Sequence, residues 1–240
     1  MLIQADAKAL EWLVAVYLSQ DETGIKEITA NVDQHTDNQQ RFGLPSRLIA
    51  KTFVFRLIYG GSAYSYANDN DFKDVSKSEK FWQKVIDEFY TKYKGLARWH
   101  ESLMQEATTT GMLRMPTGRV YHYRPEERRG DLVWPRTTIL NYPVQGTGAD
   151  IMCIARVSFA RRFLQGGISG KLISTVHDSI VVDVEDHEVD KVCKMIHSVF
   201  DDIPMNFKRI FGTEFNLPAR CEVEYGPDLK NMKLWVDTTQ

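Results

Sequence analysis

The chain has 240 residues, 43% of them hydrophobic and 26% charged, which is enough apolar material to fill a core and too much for a disordered tail or a repeat fibre. Thirty Lys and Arg stand against 32 Asp and Glu, a formal charge of −2, which excludes a histone-like basic arm but leaves room for a locally basic cleft. Cys153, Cys193 and Cys221 give neither an even disulfide set nor a C-x-x-C spacing, the first residues carry no secretion signal, and no run approaches ~18 apolar residues, so a soluble, intracellular protein without a membrane span is expected.

Leu2 to Ala5 reads as a short strand ending at Asp6, followed by Ala9, Leu10, Leu13, Val14, Tyr17 and Leu18 at helical spacing. The polar stretch 19–40 reads as loop or short helix. Arg47 to Tyr59 is a second helical run, with Ser46 as its cap and Gly60-Gly61 as its stop. A polar connection over 69–78 leads to a helical segment over 79–107, interrupted near Gly95. Its Phe81, Trp82, Phe89, Tyr90, Tyr93 and Trp99 suggest contacts between helices. From Gly111 to Trp134, proline, glycine and β-type residues predict hairpins or irregular strands. A helix is expected over 144–163, beginning after Pro143. Leu172 to Val184 carries two β-prone arms around His177-Asp178-Ser179, a hairpin with an acid at its tip. An amphipathic helix over 187–199 and a strand over 219–225 complete an α+β order with no fixed-period repeat.

Three constellations carry chemistry. Asp6 and Asp178 each lie where a core-forming strand gives way to polar residues. Alone, either is an ordinary cap or solvated turn; together, two converging carboxylates hold hard divalent cations such as Mg²⁺ with phosphates and water. Arg47, Lys51, Phe55 and Tyr59 recur at i,i+4, so two cations and then two aromatics share one broad stripe of a helix. A charged turn followed by core packing explains the stripe, and so does a surface that meets polyphosphate, then sugar and base. No G-x-x-x-x-G-K-[ST] is present, which excludes a P-loop enzyme. Asn141 and Gln145 enter a later helix. They serve as capping residues or as amides reaching the minor-groove edge of a duplex.

Gln4 to Trp12, the Arg47-(x)3-Lys51-(x)3-Phe55-(x)3-Tyr59-Gly60 run, Asn141 to Asp150, and Val176-His177-Asp178-Ser179 together, and in this order, resemble the motifs of the phage-type and bacterial family A DNA polymerases. The resemblance implies an α+β fold: a right-hand polymerase palm with an antiparallel sheet and an inserted helical fingers subdomain, the thumb being absent. Residues 1–40 would be the first palm part with the catalytic aspartate, 41–135 the fingers, and 136–240 the second palm part with the His177-Asp178 hairpin. It implies a template-directed DNA polymerase that uses two Mg²⁺ ions, dNTPs and template–primer DNA. Asp6, Asp178 and the carbonyl of Ala7 would hold the metals. Arg47, Lys51 and His35 would contact the triphosphate, with Lys51 also a proton donor to the leaving group. Phe55 would pack on the sugar, Glu11 would disfavour a ribose 2′-OH, and Tyr59 would stack near the templating base. Asn141, Gln145, His177 and Arg119 would touch template–primer. The expected setting is the cytoplasm of a bacterial or phage-infected cell, on the nucleoid when bound to DNA.

Several positions depart from the family pattern. Asp6-Ala7-Lys8-Ala9 stands where Asp-Tyr-Ser-Gln is usual, Leu13 where an arginine is usual, Arg56 in place of a glycine, and Ser179 in place of an acid. Because the first palm motif comes so early, either the chain is a fragment of a longer polymerase or it is one half of a split polymerase; the split arrangement is the favoured expectation, with an N-terminal subunit carrying the thumb, with or without an exonuclease domain, as partner. A non-catalytic nucleic-acid-binding scaffold and a metal-dependent phosphohydrolase stay open beside that reading.

Overall fold

The computed structural model describes residues 1–237. In chain order its elements are β1 (Leu2–Ala7), α1 (Leu10–Ser19), α2 (Glu22–Thr29), α3 (Gln34–Phe42), α4 (Arg47–Ile58), α5 (Ala63–Ala67), α6 (Glu79–Lys92) and α7 (Lys94–Thr110). There follow β2 (Met112–Arg114), β3 (Val120–His122), β4 (Glu126–Arg128), β5 (Asp131–Val133), α8 (Arg136–Gln165), β6 (Gly170–Val176), β7 (Ser179–Val184), α9 (Val189–Asp201), α10 (Ile203–Phe211), β8 (Cys221–Gly226) and β9 (Lys233–Leu234). The chain forms two compact units, one made by Met1–Leu10 with the residues from Thr147 onward, the other by Glu11–Gly146.

The first unit is built on an antiparallel sheet in the order β6-β7-β1-β8-β9. Strand β1 is paired on both sides, and its burial alternates with period two. Ile3, Ala5 and Ala7 are buried, while Leu2, Gln4 and Asp6 lie on the other, partly open face. A one-residue slip would exchange the two sets, so the apolar alternation fixes where Asp6 points. Helix α9 buries Val189, Val192, Cys193, Ile196, Val199 and Phe200, a continuous apolar stripe at helical spacing, and is packed against β1 and β8.

The second unit is helical, with the short hairpins β2-β3 and β4-β5 attached. Its core is aromatic: Trp12, Phe53, Tyr66, Phe72, Trp82, Phe89 and Tyr93 are all essentially inaccessible and touch in edge-on and stacked pairs. The aromatic content expected over 79–107 is thus inter-helix packing. Residues 11–40 and 136–146 pack with 41–135 in this unit. Trp12 packs edge-on to Tyr93, Lys92 pairs with Asp37 at 2.6 Å, and Ile139 and Leu140 join the cluster of Leu103, Ala107 and Leu113.

Three local expectations are corrected, and one, the loop or short helix over 19–40, is sharpened. Strand β1 runs one residue past Asp6, because β8 pairs with it through Ala7 and β7 through Asp6. The polar stretch after Ser19 holds two helices whose first turns are capped by Asp21 and Asp33. Helix α8 begins at Arg136 and runs through Pro143. The lost N–H of the proline is outweighed by the burial of Ile139, Leu140 and Val144 around it. Helix α10 is additional to the elements expected from sequence, although Pro204 in its first turn and left-handed Gly212 at its end are ordinary boundary signals.

Asp21 ties three elements together. Its carboxylate, 1% exposed as a residue, accepts hydrogen bonds from the N–H of Gly24 at 2.9 Å, of Gly95 at 2.6 Å and of Leu96 at 3.2 Å, capping α2 and joining it to the first turn of α7. A Cβ at Gly95 would lie 2.6 Å from the Asp21 Cα, so the glycine is what allows this approach. Asp21→Ala orphans these buried donors and is expected to cost about 2–4 kcal/mol. Urea unfolding followed by far-UV circular dichroism checks this, and an unchanged midpoint contradicts it.

Candidate active site

Asp178 occupies the tip of the β6-β7 hairpin. Val176 pairs with Ser179, leaving His177 and Asp178 as a two-residue turn in which His177 adopts a left-handed backbone at φ +51°. The Ala7 N–H donates to the Asp178 carbonyl at 2.9 Å, which pins the tip to the end of β1. Within β1, Asp6 stands directly opposite Ser179 on one side and Glu222 on the other. Burial raises the Asp6 carboxyl above the usual carboxylate range. The hydrogen bond from Gln4 Nε2 at 2.9 Å opposes this, and the charges of Asp178 and Glu222 push it further up.

These residues fit a hard divalent cation. Asp6 and Asp178 offer oxygen donors, to which the carbonyl of Ala7 would add another, and the charge repulsion that adds to the burial-raised Asp6 is what a cation would offset. Among the described residues no three His, Cys, Asp or Glu side chains converge to hold an ion. His177 is exposed on the same turn.

In the helical unit, α4 is capped by Ser46, whose Oγ accepts from the Ile49 N–H at 3.2 Å. Ala50, Phe53, Val54, Leu57 and Ile58 bury one side, leaving Arg47 and Lys51 exposed and Phe55 and Tyr59 half-buried on the other. The Lys51 ammonium lies 5.5 Å from the centre of the Phe55 ring, and the His35 ring lies 5.8 Å from it. Arg47 is engaged by Asp33: its Nε donates to Oδ2 at 2.7 Å and its Nη2 to Oδ1 at 3.2 Å. His35 is 5% exposed, and burial, with the charges of Arg47 and Lys51, lowers its pKa to about 4 against the pull of Asp33.

The C-terminal end of α4 meets α8. There Gln145 reaches across, its Nε2 donating to the Tyr59 hydroxyl at 2.5 Å. Burial and the Glu11 carboxylate raise the Tyr59 pKa far above the tyrosine range, so the phenol stays neutral. Asn141 lies one turn before Gln145, its Oδ1 buried and without a hydrogen-bond partner among the described residues. Exposed Arg119 follows the Met115–Gly118 turn, and its Cδ and the Tyr121 hydroxyl approach Gly146 so closely that a Cβ there would lie 1.7 Å from that hydroxyl. Thus the geometry gathers Glu11, Tyr59 and Gln145, and separately His35, Arg47, Lys51 and Phe55.

The family model described as DNA polymerase family A matches residues 1–231. The chain belongs to DNA polymerase family A. It is 28% identical to DNA polymerase I of Pseudomonas aeruginosa over 90% of this chain and 25% of that protein. It is 24% identical to DNA polymerase I of Chloroflexus aurantiacus over 96% of this chain and 24% of that protein. The chain therefore spans about a quarter of the length of these curated relatives. The fold is that of a solved structure, the POL domain of Pol1 from M. smegmatis in complex with DNA primer-template and dNTP. The TM-score is 0.77 at 20% identity, over 94% of this chain and 39% of that one. The sheet unit is accordingly a polymerase palm and the helical unit carries its fingers.

Two of the departures from the family A pattern, Ser179 and Arg56, have local partners in the structure. Ser179 is buried and its hydroxyl donates to the Val176 carbonyl at 3.0 Å, so it braces the hairpin. Arg56 pairs with Asp69 and, at 2.7 Å, with Asp71, and its guanidinium lies 5.1 Å from the Phe72 ring, tying α4 to the 69–72 connection. Leu13 is buried. Sequence reasoning missed Glu222 and Asp33 as neighbours of Asp6 and Arg47. The first was hidden because the pairing of β1 with β8 spans more than two hundred residues, the second because the Asp33–Arg47 pair joins two helices through tertiary packing.

The lowered pKa makes His35 a neutral hydrogen-bonding group at pH 7, unable to act as a cation. Its folded value of about 4 lies below the ordinary 6.5, so the stability linked to it is full above pH 6.5 and is lost as pH falls toward 4. A ¹⁵N NMR titration of the imidazole is expected to give a midpoint near the lower value; a midpoint of about 6 or above contradicts the burial of this ring.

Proposed function

We propose that this chain is the catalytic portion of a template-directed DNA polymerase, transferring dNMP from a dNTP to a primer 3′-OH in two-metal chemistry. The observation that carries the reading is the occurrence, in one family A chain, of Asp6 beside the Asp178 hairpin and of the Arg47, Lys51, Phe55, Tyr59 stripe on α4. The related Pol1 domain's complex with DNA primer-template and dNTP supports the same substrates.

In this reading Asp6, Asp178 and the Ala7 carbonyl hold two Mg²⁺ ions. When bound, such ions lower the pKa of the primer hydroxyl and steady the charge on the leaving pyrophosphate. Arg47 and Lys51 bind the triphosphate, the first by a planar fork and the second as a point charge whose proton can pass to the leaving group. His35, held neutral, donates a hydrogen bond. Phe55 packs on the deoxyribose. Glu11, beside Tyr59, leaves no room for a 2′-OH, and Tyr59 stacks near the templating base. Asn141, Gln145, Arg119 and His177 contact template–primer. Grip on the duplex would come from a thumb on an N-terminal partner subunit, and the protein would work on DNA in the cytoplasm of its cell.

Primer extension with Mg²⁺ and dNTPs, alone and with a candidate N-terminal subunit, tests the reading. Asp178→Asn is expected to lower extension at least about a hundredfold while template–primer binding is retained. Duplex binding with no incorporation by the unmodified chain in either setting would instead identify a non-catalytic scaffold. Lys51→Ala is expected to lower the single-turnover incorporation rate about 10²–10⁴-fold, the usual range for a lost general acid, with duplex affinity unchanged. Equal losses in rate and duplex affinity would contradict a triphosphate role.

A further inference from the structure

The Arg47 guanidinium is already occupied. Both of its contacts to Asp33 come from one side of the guanidinium fork, Nε to Oδ2 and Nη2 to Oδ1, the bidentate geometry that a phosphate also takes. Asp33 has a second task, since Oδ1 accepts from the His35 and Thr36 N–H groups and caps α3, while Oδ2 accepts from Thr36 Oγ1 at 2.9 Å. Its carboxyl is held well below the usual range, first by the Arg47 hydrogen bond. Arg47 begins α4, at the positive end of the helix dipole, where a cation is disfavoured unless an anion lies beside it. Asp33 is that anion.

We propose that Asp33 is an internal competitor for the triphosphate: it holds the Arg47 fork when no nucleotide is bound, yields it to the incoming phosphates, and reclaims it as pyrophosphate leaves. The proposal rests on the reading of Arg47 as a triphosphate-binding residue. The exchange preserves both guanidinium hydrogen bonds, because one bidentate anion replaces another. It is also easily reversed. The two side chains are 55% and 46% exposed, and an ion pair so open to water is weak, so a polyanion displaces it. Once displaced, the Asp33 carboxylate, still anchored to the α3 N-terminus, repels the bound phosphates and weakens substrate and product alike. Asp33 would thereby set how tightly the nucleotide is held without touching it.

The cap makes a clean test possible, because asparagine and serine also serve as N-caps but carry no charge. Equilibrium binding of inorganic triphosphate to the full chain, without DNA, is to be measured by calorimetry for wild type, Asp33→Asn, Asp33→Ser, Arg47→Ala and the Asp33→Asn/Arg47→Ala pair. Neutral residues at position 33 are expected to tighten binding about two- to fivefold at low salt, with the gain shrinking as KCl is added. Arg47→Ala should weaken binding and abolish that gain. If Arg47→Ala weakens binding but both neutral variants, folded by circular dichroism, bind no more tightly than wild type, the competitor role is overturned and the triphosphate reading stands. If Arg47→Ala leaves the affinity unchanged, the triphosphate reading of Arg47 fails and the competitor role falls with it.

Discussion

The palm depends on β1 being hydrogen-bonded on both edges. Antiparallel pairing with β7 and β8 sets Asp6 across from Ser179 and Glu222, and the apolar alternation of Ile3, Ala5 and Ala7 stops the register from sliding. The same strand end then places the second aspartate, since the Ala7 N–H takes the Asp178 carbonyl. One backbone hydrogen bond and one side-chain period therefore bring together two acids 172 residues apart in the chain. The helix α9, buried against the opposite face through its valines and Phe200, supplies the apolar driving force that keeps this polar edge in place.

A different constraint governs the helical unit. Helix α4 must bury Phe53, Val54, Leu57 and Ile58 in an aromatic core and still present a cation at its first turn. The dipole opposes that cation, and the surrounding groups answer it: Asp33 pairs with Arg47, while His35, buried and also crowded by Arg47 and Lys51, gives up its own charge. Nearer the other end of the helix, Arg56 finds Asp69 and Asp71 and favours the negative pole. The polarity of the helix surface is thus reversed at the turn proposed to meet a triphosphate and ordinary where the helix is merely held.

Much of this was legible from periodicity and boundary chemistry. Ser46 and Gly60-Gly61 bound α4, and alternating apolar residues around His177-Asp178 announced the hairpin, because in each case the signal is local. The i,i+4 row of Arg47, Lys51, Phe55 and Tyr59 was readable as one face, since a helix needs no knowledge of its partners to set that spacing. What escaped were features decided by tertiary burial. Pro143 reads as a helix start, yet it sits mid-helix because Ile139, Leu140 and Val144 are buried around it. The polar residues after Ser19 read as loop or short helix, yet that Asp21 gathers N–H groups from two helices is something no pattern within 19–40 could indicate. The neighbours Glu222 and Asp33 belong to the same class: each acts through a pairing outside its own segment.

The departures from the family pattern bear on charge more than on shape. Replacing the usual acid by Ser179 removes a carboxylate from the hairpin, and the serine hydroxyl is consumed by the Val176 carbonyl. The negative field at Asp6 is nevertheless not that of a lone pair of aspartates, because Glu222 faces it from β8 and adds to its raised pKa. This third acid acts through space from the neighbouring strand. A formal charge of −2 over 240 residues therefore conceals two opposed local fields. One is an acidic edge on the palm sheet that favours cations, and the other a cationic first turn on α4 that favours anions, each built mainly from contacts distant in sequence.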